Sequence, residues 1–243
     1  MPEQLWFTAV LNHLLAGPVT ALLEALHMPA KYPQAPISNA VAMELLVLAF
    51  LIGLFLVARR SLSVDRPGAL QHIFEGARGF ILGQNHEIIG PKSDGFIAFL
   101  MSLGLFILGC NLIGLIPGFE SPTATPVVPL GCAICAFAYY QTQGFKHSGR
   151  GYLKHFLGPV WWLSWLMLPI EIISHLARML SLTIRLYANM FAGDMVTLVF
   201  FSLVPLGIPV LFLGLHMGVA LLQTYIFVLL TTVYLQGAVA EEH

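Results

Sequence analysis

With 243 residues, 58% of them apolar, 9% charged and a formal net charge of −1, the chain lies far from the roughly 25% charged content of a soluble domain. Its mean hydropathy of +0.82 describes a polytopic membrane protein. The near-neutral balance excludes the strongly basic surface that nucleic-acid binding needs, and no nucleic-acid partner is expected.

Residues 1–27 lack the basic n-region and small-residue cleavage site of a signal peptide, so this end reads as retained. The apolar run of residues 1–27 is interrupted by His13, Gly17 and Pro18, and residues 1–37 carry an amphipathic piece around 11–26 followed by Pro33 and Pro36, which end any helix before the first span. They read as an interfacial segment. Residues 38–58 form a first span, with Glu44 near its start and Arg59 and Arg60 as a positive stop. After Pro67, the apolar residues Leu70, Ile73, Phe74, Ala77, Phe80 and Ile81 recur at three- and four-residue steps among His72, Glu75 and Arg78. Residues 67–90 are therefore expected as an amphipathic helix on the membrane surface.

Residues 96–117 are a charge-free stretch of 22 residues, enough to cross about 30 Å of hydrocarbon. The Pro-, Ser- and Thr-rich 118–126 turns the chain into another span ending near Tyr140, which makes 96–140 a hairpin. Residues 141–156 read as a loop. Cys132 and Cys135 match C-x-x-C inside this apolar stretch, but no second pair or His cluster completes a zinc site, and they read as two small side chains packed on one helix face, with Cys110 the only other cysteine.

Residues 157–203 would be ~70 Å long if wholly helical at 1.5 Å per residue, more than twice the hydrocarbon thickness. Pro205 and Pro209 around Gly207 mark a turn, and 208–240 is a second long uncharged run. The residues alone leave open three short spans or two long tilted ones. Basic residues Arg59, Arg60, Arg66, Arg78 and Lys92 in one loop, and Lys146, Arg150 and Lys154 in another, face Lys31 alone on the opposite side. The positive-inside rule makes those two loops cytoplasmic, the amino terminus external and the carboxyl terminus internal.

Residues 171–194 hold four formal charges within apolar sequence. Glu171, Arg178, Arg185 and Asp194 would together cost about 10 kcal/mol facing lipid, at roughly 2.5 to 3.5 kcal/mol each. They must face water or protein. Glu171, Arg178 and Arg185 are seven apart and Asn189 follows four later, which keeps all four on one helical stripe. Such a stripe signals an ion path or a buried partner interface. By depth, Glu171 falls on the cytoplasmic half, Arg185 deep and Asp194 towards the outer half. His216 falls on the outer half of the last helix, with Gln223 nearer the level of Arg185.

The run Ser181-Leu-Thr-Ile-Arg-Leu-Tyr-Ala-Asn-Met-Phe-Ala-Gly-Asp194 resembles the arginine-containing signature of subunit a of bacterial F-type rotary ATP synthases. Glu171 and Arg178, fourteen and seven residues before the arginine, fit that family, as do His216 and Gln223, Thr232-Val-Tyr-Leu and the stretch Asn111-Leu-Ile-Gly-Leu-Ile-Pro117. The departures are Asp194 for a usual Glu or His, Tyr187 and Ala188 for Phe and Gly, Met179 for a frequent Pro, and Gly114 where some relatives carry Asp.

The resemblance implies an all-α polytopic membrane protein with about five transmembrane helices, an amphipathic surface helix and a final hairpin of two long tilted helices. It implies a non-catalytic stator without a cofactor, passing H⁺ or Na⁺ through two offset half-channels to carboxylates on a rotating c-ring. The setting is the bacterial inner membrane, with the b subunits of the peripheral stalk as further partners. Arg185 would separate the half-channels, with Ala188 and Ala192 on the face that meets the ring. Glu171, Ser174 and His175 would line the cytoplasmic half-channel, and Asp194 and His216, with Asn111 as a polar neighbour, the outer one. Asn189 and Gln223 are polar candidates at the middle level.

Two other functions stay open on the residues. His175 and His216 could ligate a haem in a membrane redox anchor, which leaves Arg185, Glu171 and Asp194 unexplained. An independent secondary transporter would show internal repeats, and no repeated motif is present.

Overall fold

The computed structural model describes residues 4–25, 27, 32–60, 62–63, 67–116, 118–148, 164–203 and 207–239. Among them are seven α-helices and no strand: α1 (Trp6–Ala25), α2 (Asn39–Arg60), α3 (Ala69–Ile88), α4 (Ile97–Ile113), α5 (Val127–Ser148), α6 (Ser164–Leu203) and α7 (Ile208–Val239). Arg66, Arg150, Lys154 and residues 157–163 lie outside the described residues, as does the carboxyl-terminal Glu241-Glu-His243.

The choice between three short spans and two long ones is settled by α6 and α7. Their 40 and 32 residues run unbroken, ~60 Å and ~48 Å at helical rise, although Pro169 sits inside α6. Both exceed a hydrocarbon layer of about 30 Å, so they must tilt or project from it. They pack against each other along a shared register. Asn189 meets Gln223, and Arg178 meets Tyr234, so steps of eleven residues on one helix match eleven on the other.

Where the helices meet, small residues let backbones approach closely, which in a membrane does the work that burial does in water. Ala133 and Ala136 of α5 and Ala220 of α7 are buried with Ile107 of α4, Leu186 and Met190 of α6 and Phe227 of α7. These four helices form the core of the bundle. α5 extends to Ser148, so residues 141–148 continue a helix where a loop was expected.

Five helical stretches are long and apolar enough to cross a membrane: α1, α2, 93–113, α6 and α7. The sequence reading counted α5 in place of α1. Tyr139, Tyr140, Gln141 and Gln143 dilute the second half of α5, yet α5 packs along both long helices. α1 is continuous through Pro18, and Thr20 Oγ1 donates to the Ala16 and Gly17 carbonyls beside it. It does not run beside α2. The Leu5 amide donates to Asn39 Oδ1 (3.3 Å) and Asn12 Nδ2 to the Ile37 carbonyl (3.0 Å), whereas an antiparallel neighbour would put Leu5 about 30 Å from Asn39. The helix crosses the start of α2.

Cys132 is buried and Cys135 exposed, so the two do not share a packed face; Cys110 is buried on α4.

After α4 the chain folds back so tightly that a Cβ on Gly114 would lie 2.9 Å from the Ser121 amide nitrogen and 2.7 Å from its Cβ. Gly114→Ala should therefore destabilise the protein by about 1–3 kcal/mol, read as a lower melting temperature of the detergent-extracted complex. Gly131→Ala, where nothing lies within 4 Å of the added carbon, is the matched control. Equal melting of the two variants would contradict this account.

Candidate functional site

The functional candidates fall in three levels along α6, from the end of the bundle that carries Arg59, Arg60 and Lys146 to the opposite end. At the basic end, one helical turn brings Glu171 and His175 together, with His175 Nε2 3.3 Å from Glu171 Oε1. The other ring nitrogen, Nδ1, shares a 3.0 Å hydrogen bond with the Tyr140 hydroxyl of α5. In a neutral imidazole that donates from Nε2 to the carboxylate, Nδ1 accepts from the tyrosine, so Tyr140, His175 and Glu171 form a continuous chain. Ser174 is half-buried one residue away. Arg178 lies over the Tyr234 ring, 5.4 Å from its centroid, a cation–π contact in place of a free reach to headgroups.

Arg185 occupies the middle level. It is half-buried, and its hydrogen bond among the described residues is from Nη2 to Ser181 Oγ one turn back, at 3.3 Å. Five N–H donors on a permanently charged group are thus met by one neutral hydroxyl. Ala188 and Ala192 beyond it are exposed, as are Ile184 and Phe191. One turn on, Asn189 Nδ2 donates to Gln223 Oε1 at 2.8 Å, and Gln223 is 2% exposed. Gln223 is therefore level with Asn189, a turn away from Arg185.

At the far end Asp194 Oδ1 stands 3.7 Å from His216 Nδ1, beyond direct hydrogen-bond range but within reach of a bridging water. His216 is 4% exposed, and its Nε2 is buried without a partner. The imidazole lies flat enough against α6 that a Cβ on Gly193 would come within 2.8 Å of it. Glu120, in the turn before residues 122–124, is close enough to Asp194 for the two carboxylates to repel, and it accepts a hydrogen bond from Asn39 Nδ2 at 3.4 Å.

Asn111 is not beside this pair. Its Nδ2 donates to the Ala220 carbonyl (3.3 Å) and to Thr224 Oγ1 (3.1 Å), one and two turns along α7 from His216. Its Oδ1 accepts from Thr123 Oγ1 at 2.7 Å, and Ser121 Oγ closes the turn onto the Cys110 carbonyl. The amide is engaged on both ends, as a clamp between α4, the 121–124 turn and α7.

Tyr140, Tyr234, Thr123 and Thr224 were not singled out from the sequence. The tyrosines read only as helix ends, and a lone threonine in an apolar run carries no signal until the partner helix is known. The haem alternative fails on distance. His175 and His216 belong to opposite ends, since His216 is level with Asp194, nineteen residues or about 28 Å along α6 from His175.

A family model described as ATP synthase A chain matches residues 41–236. That is most of the chain, and it includes every level of the site. The chain belongs to the ATP synthase subunit a family. It is 60% identical to the ATP synthase subunit a of Koribacter versatilis (strain Ellin345) over 244 residues, covering all of both chains. It is 52% identical to that of Solibacter usitatus (strain Ellin6076), over 96% of this chain and 99% of the relative, and 37% identical to that of Geobacter sulfurreducens, over 91% and 94%. Membership establishes a membrane subunit of an ATP synthase concerned with ion transport. At position 114 the Ser121 backbone occupies the space a side chain would need.

Proposed function

We propose that this subunit is the ion-conducting stator of an F-type ATP synthase, with two half-channels that never join and a c-ring carboxylate as the only carrier between them. The observation that carries the reading is Arg185: a half-buried guanidinium inside apolar helices, with one neutral hydrogen-bond partner and small exposed residues beside it. A charge so placed is costly without a counter-ion, and the open face of Ala188 and Ala192 admits a ring helix that brings one. Held there, the guanidinium favours the ionised ring carboxylate. It also repels a proton that would pass directly from one half-channel to the other.

Distance supports two separate paths. Glu171 and Asp194 are twenty-three residues apart on one helix, about 35 Å, with Arg185 between them. No direct transfer spans that gap. In this reading Glu171, Ser174 and His175, joined by Tyr140, serve the cytoplasmic side, and Asp194 and His216 the outer side. Asn189 and Gln223 line the approach to the arginine, and Asn111 acts by holding α7 in place. The basic loops are cytoplasmic, the amino terminus is external, the b subunits of the stalk hold the stator, and the ion is H⁺ or Na⁺ in a bacterial inner membrane.

The accessibility of the first path tests the arrangement. In a background with Cys110, Cys132 and Cys135 replaced by Ser, Glu171→Cys and His175→Cys should react with a membrane-impermeant methanethiosulfonate supplied on the side of the basic loops. His175 is almost wholly buried, so its reaction requires water within the helix bundle. Reaction only from the opposite side would reverse the orientation, and no reaction from either side would remove the path.

A further inference from the structure

Two cavities meet at Met101, and neither belongs to the ion path. The first, about 280 Å³, lies between α3, α4 and α7, walled by Phe80, Ile81, Leu105, Leu108, Leu221 and Val228. No charged residue lines it. Of its polar lining residues Gln84, Asn85, Thr224, Tyr225 and Thr232, Asn85 is fully buried, accepts at Oδ1 from the Thr232 hydroxyl at 3.2 Å, and has an Nδ2 with no partner among the described residues. The second cavity, about 240 Å³, lies between α2 and α3 and is lined by Arg59, Arg78, Glu75, Phe55 and Phe74 as well as Met101. Glu75 accepts a hydrogen bond from Gln71 Nε2 at 2.7 Å, and neither guanidinium is paired with a carboxylate among the described residues.

We propose that the two adjoining cavities, which share Met101 as a wall, hold one anionic phospholipid, with an acyl chain in the apolar chamber, the phosphate beside Arg59 and Arg78, and the Met101 side chain displaced between them. Charge complementarity selects the occupant. Two guanidiniums and one carboxylate, that of Glu75, line this small space and leave it net positive, and a phosphate beside the arginines balances that charge with bidentate hydrogen bonds. The uncharged chamber suits a hydrocarbon chain. The helix α3 is built for both parts: Phe74 and Arg78 face the headgroup end, and Ala77, Phe80, Ile81 and Gln84 face the chain. Phe80 and Gln84 are themselves held by Tyr225 of α7, so the wall is ordered from both sides. An uncharged helix from another subunit would cover the opening but would leave the net positive charge of the lining without a counter-ion.

The test uses the whole ATP synthase reconstituted in vesicles with a phosphatidylglycerol that carries a diazirine in one acyl chain, against a phosphatidylcholine with the same diazirine. After irradiation, the glycerol lipid should label peptides of α3, α4 and α7 at Phe80, Met101 and Leu221 roughly 25-fold more than the choline lipid, since the two guanidiniums contribute about fivefold each. Arg59→Gln with Arg78→Gln should lower that labelling to the choline level. Ala77→Phe, which fills the chamber from α3, should remove it while labelling of the outer face of α2 persists. Equal labelling by the two lipids in the unaltered complex overturns the proposal, and that comparison decides even if a variant fails to assemble. Labelling that survives Ala77→Phe, or cross-linking of a neighbouring subunit's helix in the chamber, overturns it as well.

Discussion

Membranes carrying Arg185→Ala are expected to make no ATP from a proton gradient while the complex still assembles. The side chain makes one hydrogen bond, to Ser181, and fills no core position, so its removal leaves the packing of Leu182, Leu186 and Met190 intact. What is lost is the fixed charge, and the effect on synthesis should be on the order of 10²-fold or more, as for removal of a preorganised electrostatic group elsewhere. On the proposed function, passive proton conductance should rise in the same membranes, because the charge that would separate the two half-channels is gone. Arg185→Lys should also fail: a compact, strongly hydrated ammonium neither reproduces the planar fork nor keeps its charge as securely when buried. Proton-driven synthesis at the normal rate in assembled Arg185→Ala membranes would sink the assignment.

The second large effect is expected at the far end of α6. His216→Ala and Asp194→Ala should each slow proton-driven synthesis roughly 10²-fold, the scale of losing a positioned proton-transfer group. The alternative is a structural ion pair with no part in transport. The 3.7 Å separation argues against a tight pair, and the buried Nε2 has no partner among the described residues that would fix its proton. Exchanging the residues, Asp194→His with His216→Asp, should restore part of the rate if a carboxylate and an imidazole are both needed. Gly193→Val should resemble His216→Ala, because the new Cβ enters the space of the imidazole and displaces it. Normal transport by both single alanine variants would move the outer path to Glu120, which already approaches Asp194 and Asn39.

Much of this architecture is legible in the residues themselves. Membrane residence follows from composition, since 58% apolar and 9% charged residues cannot cover a soluble surface. The stripe of Glu171, Arg178, Arg185 and Asn189 is legible because helical periodicity is a property of one segment and needs no partner. The half-turn between Arg185 and Asp194, nine residues at 3.6 per turn, likewise puts them on opposite faces before any packing is known. These features are local, and the cost of an intramembrane charge is large enough to make each one stand out.

Tertiary structure decided what depends on a second helix. Only the α6–α7 register shows that Asn189 reaches Gln223 and that Arg178 lies over Tyr234. Only the packing of α5 on α6 turns Tyr140 from the end of a span into the hydrogen-bond partner of His175. Asn111, read from the sequence as a polar neighbour of Asp194 and His216, is hydrogen-bonded to Ala220 and Thr224, one and two turns along α7 from His216. The course of α1 across the start of α2 follows from Leu5 and Asn12 hydrogen bonds that join residues 34 and 25 apart. Apolar runs of similar character specify that helices form and that they remain in the membrane. They do not specify which faces meet, because lipid is as apolar as any helix surface and association rests on close fit and a few polar contacts, and those exist only once the helices are side by side.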